Sequence, residues 1–251
     1  MSDLLVLCYH AVSERWPASL SVTPQALADQ LGWVVRRGYR GVTFTEAVTQ
    51  QAEGRRVAVT FDDAYASVLG LAFPILERLG LTATVFVPTA FVDAGRLMSW
   101  PGVDVWLGTE HEAELAGMSW EALGQLAEQG WEIGSHTRTH ARLPDVDGAA
   151  LPEELTASKE ACERELGTPC RAIAYPYGAV DDRVVAAAAA AGYVAGAALP
   201  GNFADPAPLR WPRVGVFHKD GSGRFRLKAS SAVRHARRSP AWTALERVRR
   251  R

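Results

Sequence analysis

The chain has 251 residues, 27 basic and 28 acidic, and is 48% hydrophobic and 22% charged. That mixture excludes a disordered, collagen-like or coiled-coil protein, because enough apolar surface exists to offset the entropy of ordering. A net charge of −1 gives no reason to expect a nucleic-acid partner.

Short β-rich runs recur along the chain, separated by segments of helical pattern. Strands are expected at Leu4–Tyr9, Val57–Phe61, Ala83–Val87, Trp131–Gly134, Ala172–Tyr175, Val194–Ala198 and Arg213–Phe217, with a weaker one at Gly41–Phe44. They are apolar without strict alternation, as in a parallel sheet covered on both faces. Helices are expected from Pro24, behind Thr23, to about Arg37, and over Val68–Leu79. Others are Trp120–Gln129 behind Ser119, Pro152–Leu166 and Asp181–Ala191. Alternation of this kind predicts one α/β domain, a barrel in preference to an open sheet. No glycine-rich phosphate loop follows the first strand, where Tyr9-His10-Ala11 stands instead. Residues 93–118 are too long for an ordinary connection and read as an inserted loop or lid.

Polar residues fall where the strands end. His10 ends the first, Asp62-Asp63 the second, and Ser135-His136 follow a third. Pro176-Tyr177-Gly178 follow Tyr175, and His218 follows Phe217. In an α/β barrel the carboxyl-end rim is where active sites assemble. Two adjacent carboxylates resist joint ionisation unless a cation is near, so one can bind it while the other accepts a proton. A helix-capping role for the pair is the plainer alternative. In His136-Thr-Arg-Thr-His140 two imidazoles stand four residues apart, which on a helical turn puts both on one face. Two exposed loop histidines are the alternative there. Asp63, His136 and His140 together have the ligand count of a catalytic zinc or a non-haem iron site.

Thr60-Phe61-Asp62-Asp63, His136-Thr-Arg-Thr-His140 and Tyr175-Pro176-Tyr177-Gly178 resemble, in that order, the polysaccharide deacetylases of the NodB-homology type, carbohydrate esterase family 4. The resemblance runs from about Leu4 to about Leu227. It implies a distorted (β/α) barrel of about seven parallel strands that removes acetyl groups with one divalent metal, zinc or else cobalt, nickel or iron. By position, Asp63, His136 and His140 would be the metal ligands, Asp62 the general base and the Tyr177 N–H an oxyanion donor. Many members place an arginine three residues before the motif tyrosine to orient the base; here that position is Ala174. Many carry a late Leu-x-His as general acid, which His218 matches poorly. Leu7-Cys8-Tyr9-His10-Ala11-Val12 and Pro212-Arg213-Val214-Gly215-Val216 resemble instead the branch acting on poly-N-acetylglucosamine, where the early histidine is the acid. His10 is therefore preferred as acid, with His218 as the alternative and a buried structural role as the plain reading of His10.

The resemblance makes the expected substrate an N-acetylated amino sugar, on a glycan, lipid, nucleotide or small molecule. A non-haem iron oxygenase, a degenerate sugar-binding module and a barrel amidohydrolase acting on formamides or cyclic amides are the competing readings. Three cysteines, Cys8, Cys162 and Cys170, make no even framework, and Leu4–Tyr9 lacks the positive flank of a signal peptide. Both suit a cytoplasmic protein. Ten of the basic residues lie between Arg224 and Arg251 against one acid, Glu246. The boundary is set after Lys228, leaving a basic tail over 229–251. That tail reads as a solvated terminus or as a segment whose arginines meet anionic lipid while Trp242 and Leu245 enter the headgroup region.

Overall fold

The computed structural model describes residues 3–199, 206–239 and 242. The opening apolar run is β1 (Asp3–Tyr9), followed by β2 (Ala11–Val12) and β3 (Ser21–Val22), which pair with each other. Thr23 caps α1 (Pro24–Arg36) by accepting from the Ala26 N–H at 3.1 Å. The weak strand expected at Gly41–Phe44 lies earlier, as β4 (Tyr39–Gly41). Thr43 instead opens α2 (Phe44–Thr49), accepting from the Glu46 N–H at 3.3 Å in the Thr-x-x-Glu pattern of a helix start.

Next come β5 (Arg55–Phe61), one wide helical turn over Val68–Ala72 that leads into α3 (Phe73–Arg78), and β6 (Ala83–Val87). Ser119 caps α4 (Trp120–Glu128) ahead of β7 (Glu132–Ser135), and α5 (Ala150–Leu166) ends at the left-handed Gly167. The chain continues through β8 (Ala172–Ala174), α6 (Asp182–Ala190), β9 (Ala195–Ala198), β10 (Trp211–Pro212) and β11 (Val214–Gly215). It finishes with α7 (Ser222–Ala229) and α8 (Ser231–Ala236).

Nine strands make the main sheet, in the order β10-β9-β8-β7-β6-β5-β1-β11, with β4 beside the first half of β5; every pairing is parallel. The late strand expected at Arg213–Phe217 is shortened to Val214–Gly215, and a second short strand precedes Arg213. Before it, Trp211 lies opposite Ala197 of β9; after it, Val214 lies opposite Leu7 of β1. One stretch of chain therefore pairs with both ends of the sheet and brings it round into a barrel.

Alternate strand residues face two environments. Leu5, Leu7, Val57, Val59, Val85 and Val87 pack outward under the helices. Val6, Ala58, Phe86, Ala172, Ala174, Ala195 and Ala197 fill the lumen together with Phe44 and Ala47 of α2. Five of those seven strand residues are larger than glycine by at most a methyl, so the lumen is narrow. A Cβ at Gly134 would stand 2.7 Å from the Phe86 ring. α2 closes the amino-terminal mouth: the Phe44 N–H donates to Thr84 Oγ1 at 2.8 Å, its ring meets Phe86 edge-on at 5.6 Å, and the Thr45 N–H donates to Glu132 at 3.0 Å. Burying one such phenylalanine contributes about 1.5–3 kcal/mol.

The basic stretch expected beyond Lys228 begins inside the helical pair at the chain's end. Phe225 packs edge-on against Trp33, and Arg234 of α8 is buried, donating to Asp3 at 2.7 Å and to the Leu4 carbonyl at 2.6 Å. Arg234 is thus committed to the barrel and withdrawn from any lipid-facing set. Leu245, Val248 and the arginines from Arg247 onward lie outside the described residues.

Candidate active site

The carboxyl ends of β1, β5, β7 and β8 deliver the polar residues to one rim. Asp62 and Asp63 follow β5, where the backbone turns sharply: Asp63 has φ 71° and Ala64 φ 54°. The Asp62 N–H donates to the Tyr9 carbonyl at 2.9 Å, extending the β1–β5 ladder by one bond. Asp63 is thereby swung toward His136 and His140, whose Nε2 atoms stand 3.4 and 3.3 Å from its Oδ1. All three are at most 5% exposed.

These separations test the site for a metal. They exceed ordinary hydrogen bonds, and Asp63 Oδ1 is buried without a hydrogen-bond partner. Two ligands about 2.0–2.1 Å from one tetrahedral ion stand about 3.3–3.4 Å apart. The Asp-His-His set has that spacing and fits a divalent cation with coordination positions left open. Asp63 would be raised by burial, yet the two facing imidazoles hold it far below the usual carboxylate range. His136 donates from Nδ1 to the Ala174 carbonyl at 2.8 Å, which directs its Nε2 into the site.

The segment between the histidines is not the helical turn that its spacing suggests. Thr137 (φ 67°) and His140 (φ 62°) are left-handed, and the loop is pinned from outside. Buried Glu154 of α5 accepts from the Arg138 N–H at 3.1 Å, the Thr139 N–H at 2.9 Å and the Thr139 hydroxyl at 2.7 Å. Ser135 Oγ accepts from the Thr137 N–H at 3.0 Å. Among the described residues six non-glycines have positive φ, and five of them, Asp63, Ala64, Thr137, His140 and Tyr177, lie in these site loops. Such conformations cost about 1–3 kcal/mol each and concentrate where geometry is functional.

Asp62 is clamped by a residue that the motifs do not reveal in this role. Arg213 Nη1 and Nη2 reach its two carboxylate oxygens at 2.6 and 2.7 Å, and Nη1 also donates to Thr60 Oγ1 at 2.9 Å. Both partners are essentially solvent-free. Burial, the largest single influence, pushes the Asp62 carboxyl up, but Arg213, His136 and His10 together outweigh it and bring it to about 2. The arginine missing at Ala174 is thus replaced from the strand that closes the barrel, across a lumen into which Ala174 projects only a methyl group. Cys8 Sγ approaches Asp62 Oδ2 at 3.4 Å. Cys8, His10 and Asp62 also cluster, but there the Arg213 guanidinium already supplies the counter-charge to Asp62.

His10 is 8% exposed, lies against Phe217 and places Nε2 4.0 Å from Asp62 Oδ2. Burial holds it below the usual imidazole range despite the facing carboxylates Asp63 and Asp62. His218 is not brought into this group. It is exposed, its N–H donates to the Ser19 carbonyl at 2.9 Å, and Nδ1 lies 3.3 Å from the Ser21 carbonyl. Tyr177 is left-handed (φ 59°), its ring edge meets His140 at 4.9 Å, and its N–H donates to no backbone carbonyl of the described residues.

Residues 93–118 form one wall of the site. Met98, Trp100, Val103, Leu115 and Met118 are buried, and the Ala66 and Met118 N–H groups tie the segment to the Asp62–Asp63 turn, through Ala116 and Ala64 carbonyls at 2.8 and 2.9 Å. Trp100 stacks on His140 with ring centroids 4.0 Å apart.

A polysaccharide deacetylase family model matches residues 49–196. A Bacillus subtilis protein named for that activity is 25% identical over 200 residues, 78% of this chain and 64% of its own length. A poly-beta-1,6-N-acetyl-D-glucosamine N-deacetylase of Staphylococcus epidermidis is 24% identical over 208 residues, covering 72% and 67%. The chain therefore spans about two thirds of the length of these curated relatives. In fold it is similar to the Streptococcus pyogenes deacetylase PplD in complex with acetate, with a TM-score of 0.76 over 91% of this chain and 98% of that one at 22% identity. With the family match extending over more than half of its residues, the chain belongs to the polysaccharide deacetylase family.

Proposed function

We propose that this chain hydrolyses the acetamide of an N-acetylated amino sugar, releasing acetate and a free amine. The observation that carries the reading is a solvent-free carboxylate, Asp62, clamped beside a buried Asp-His-His donor set. A divalent cation held by Asp63, His136 and His140 would act as Lewis acid on the acyl carbonyl and lower the pKa of water. Asp62, kept ionised by Arg213, accepts the proton of the attacking water at a carboxylate oxygen. The Tyr177 N–H donates to the developing oxyanion, a contribution of about 3 kcal/mol for one such donor. His10 protonates the departing nitrogen, and the 4.0 Å between its Nε2 and Asp62 Oδ2 gives the proton a short path. Trp100, buried against His140, shields that side of the site from water, and the exposed Tyr177 ring beside it offers a surface to a sugar.

Acetate release should be measured across N-acetylglucosamine oligomers of differing linkage and nucleotide- and lipid-linked N-acetyl sugars, with and without chelator. Release from at least one, abolished by chelator and restored by zinc, cobalt, nickel or iron(II), is expected. D63A, H136A and H140A should each lower metal content, whereas D62N should keep the metal and lose turnover. Metal loss in D62N with full loading of D63A would reverse the two roles.

A further inference from the structure

The other end of the barrel carries an arginine that the deacetylase reading does not use. Arg56 stands two residues before the lumen-facing Ala58 on β5, so its side chain turns inward at the amino-terminal mouth. It is 6% exposed, and its Nη1 is buried without a hydrogen-bond partner. Among the described residues the two other buried arginines each hold a carboxylate: Arg213 has Asp62 and Arg234 has Asp3. Arg56 has no ion pair among them. A buried guanidinium with no acceptor is a costly arrangement, and its five donors are built for a planar or tetrahedral oxyanion.

Arg56 does not face solid core. It borders a cavity of about 810 Å³, within the size range of small-molecule sites, between the end of α2, the loop before β5 and the start of β10. Leu4, Val48 and Trp211 give it apolar walls, and Arg238 brings a second guanidinium against one carboxylate, Glu53. A neighbouring cavity shares Leu4 and Arg238 and adds Arg55 beside the Arg234–Asp3 pair, which extends the basic rim by one arginine. Two arginines, one acid and an indole favour a doubly charged headgroup on a body of sugar size. The geometry points to a second ligand site at the amino-terminal mouth, Arg56 with Arg238, that takes a small molecule bearing a phosphate monoester. The site lies at the opposite end of the strands from Asp62, so it is independent of the proposed reaction.

Titration calorimetry of the metal-loaded full chain with glucose 6-phosphate, inorganic phosphate and glucose tests this. Glucose 6-phosphate should bind, inorganic phosphate more weakly and glucose not at all. In R56Q and in R238Q affinity should fall by about tenfold or more, as expected for removal of a charge-assisted contact. Arg238 is exposed, so R238Q keeps the test meaningful should R56Q fold poorly, and acetate release should be unaffected in R238Q. No heat with either phosphate, or undiminished binding in both variants, overturns the proposal. Asp205, which precedes Pro206 of the cavity wall, provides a further discriminating variant. If D205N destabilises the chain as much as R56Q and the double variant is no worse, the arginine has an internal partner and the proposal fails.

Discussion

Replacing Arg213 by methionine removes the clamp while keeping a long apolar side chain in the lumen. Asp62 then retains its burial but loses the charge that opposes it, and its carboxyl should rise from about 2 past its ordinary 3.8. At about 1.4 kcal/mol per pH unit, returning to the ordinary value alone is worth about 2–3 kcal/mol. Breaking a buried ion pair from one side costs about 3–5 kcal/mol, so the two estimates meet near 3 kcal/mol at pH 7. A carboxyl depressed by folding adds stability that is present above its unfolded value and lost as pH falls through its folded value, here between about 4 and about 2. The gap between parent and R213M should therefore be fully open at pH 7 and narrow as the pH is lowered through 4. Urea unfolding at a series of pH values reads it. Acetate release should fall about 10²-fold through misplacement of the base, with metal content unchanged. Wild-type turnover in R213M, or a stability gap that is the same at pH 7 and pH 2, would refute this account of the clamp.

H10A should keep its fold and metal and lose about 10²–10⁴-fold in rate, while H218A, turned toward Ser19 and Ser21, should cost far less; the opposite ranking in steady-state kinetics would move the acid to the late histidine. E154Q weakens the acceptor that pins Arg138 and Thr139, and should reduce metal affinity about 10–100-fold in a chelator competition titration without touching a ligand. The basic tail is tested by co-sedimentation with anionic and neutral vesicles, comparing the full chain with one ending at Ser239, because a cut at Lys228 would also remove the docked Arg234. Loss of salt-sensitive anionic binding in the shorter chain is expected if the tail meets lipid, and equal pelleting of both would end that reading.

The strands, their parallel order and the residues at their ends were legible because each strand is a short apolar run that stops at a polar side chain. Asp62, Asp63, His136 and His140 announced themselves by residue type. The turn joining the histidines did not, because left-handed Thr137 and His140 violate the local preferences on which a helical reading rests. Arg213 stands in the motif Pro-Arg-Val, but its partner is fixed by which strand lies across the lumen from β5, and no local pattern encodes that. β4 was misplaced because Phe44 looks like a strand residue, although Thr43 and Glu46 already mark a helix start. Arg56 precedes the strand expected from Val57, and no local pattern marks it as buried.

The single stretch from Trp211 to Gly215 that pairs with β9 and with β1 has a consequence for the order of assembly. Its second half must find Leu7 and Cys8 near the other end of the chain, the most distant pairing in the sheet, and closing so long a loop is entropically the slowest step of a parallel fold. Arg213 sits at the centre of that stretch. Asp62, the proton acceptor of the proposed reaction, is therefore set in place by the same event that shuts the barrel. On a ribosome, the sheet from β1 through β9 can form while Asp62 still lacks its counter-charge, and competence arrives only when the last strand is threaded home. Slow maturation and inactivity of partly folded chains would then have one origin, the late docking of a five-residue segment.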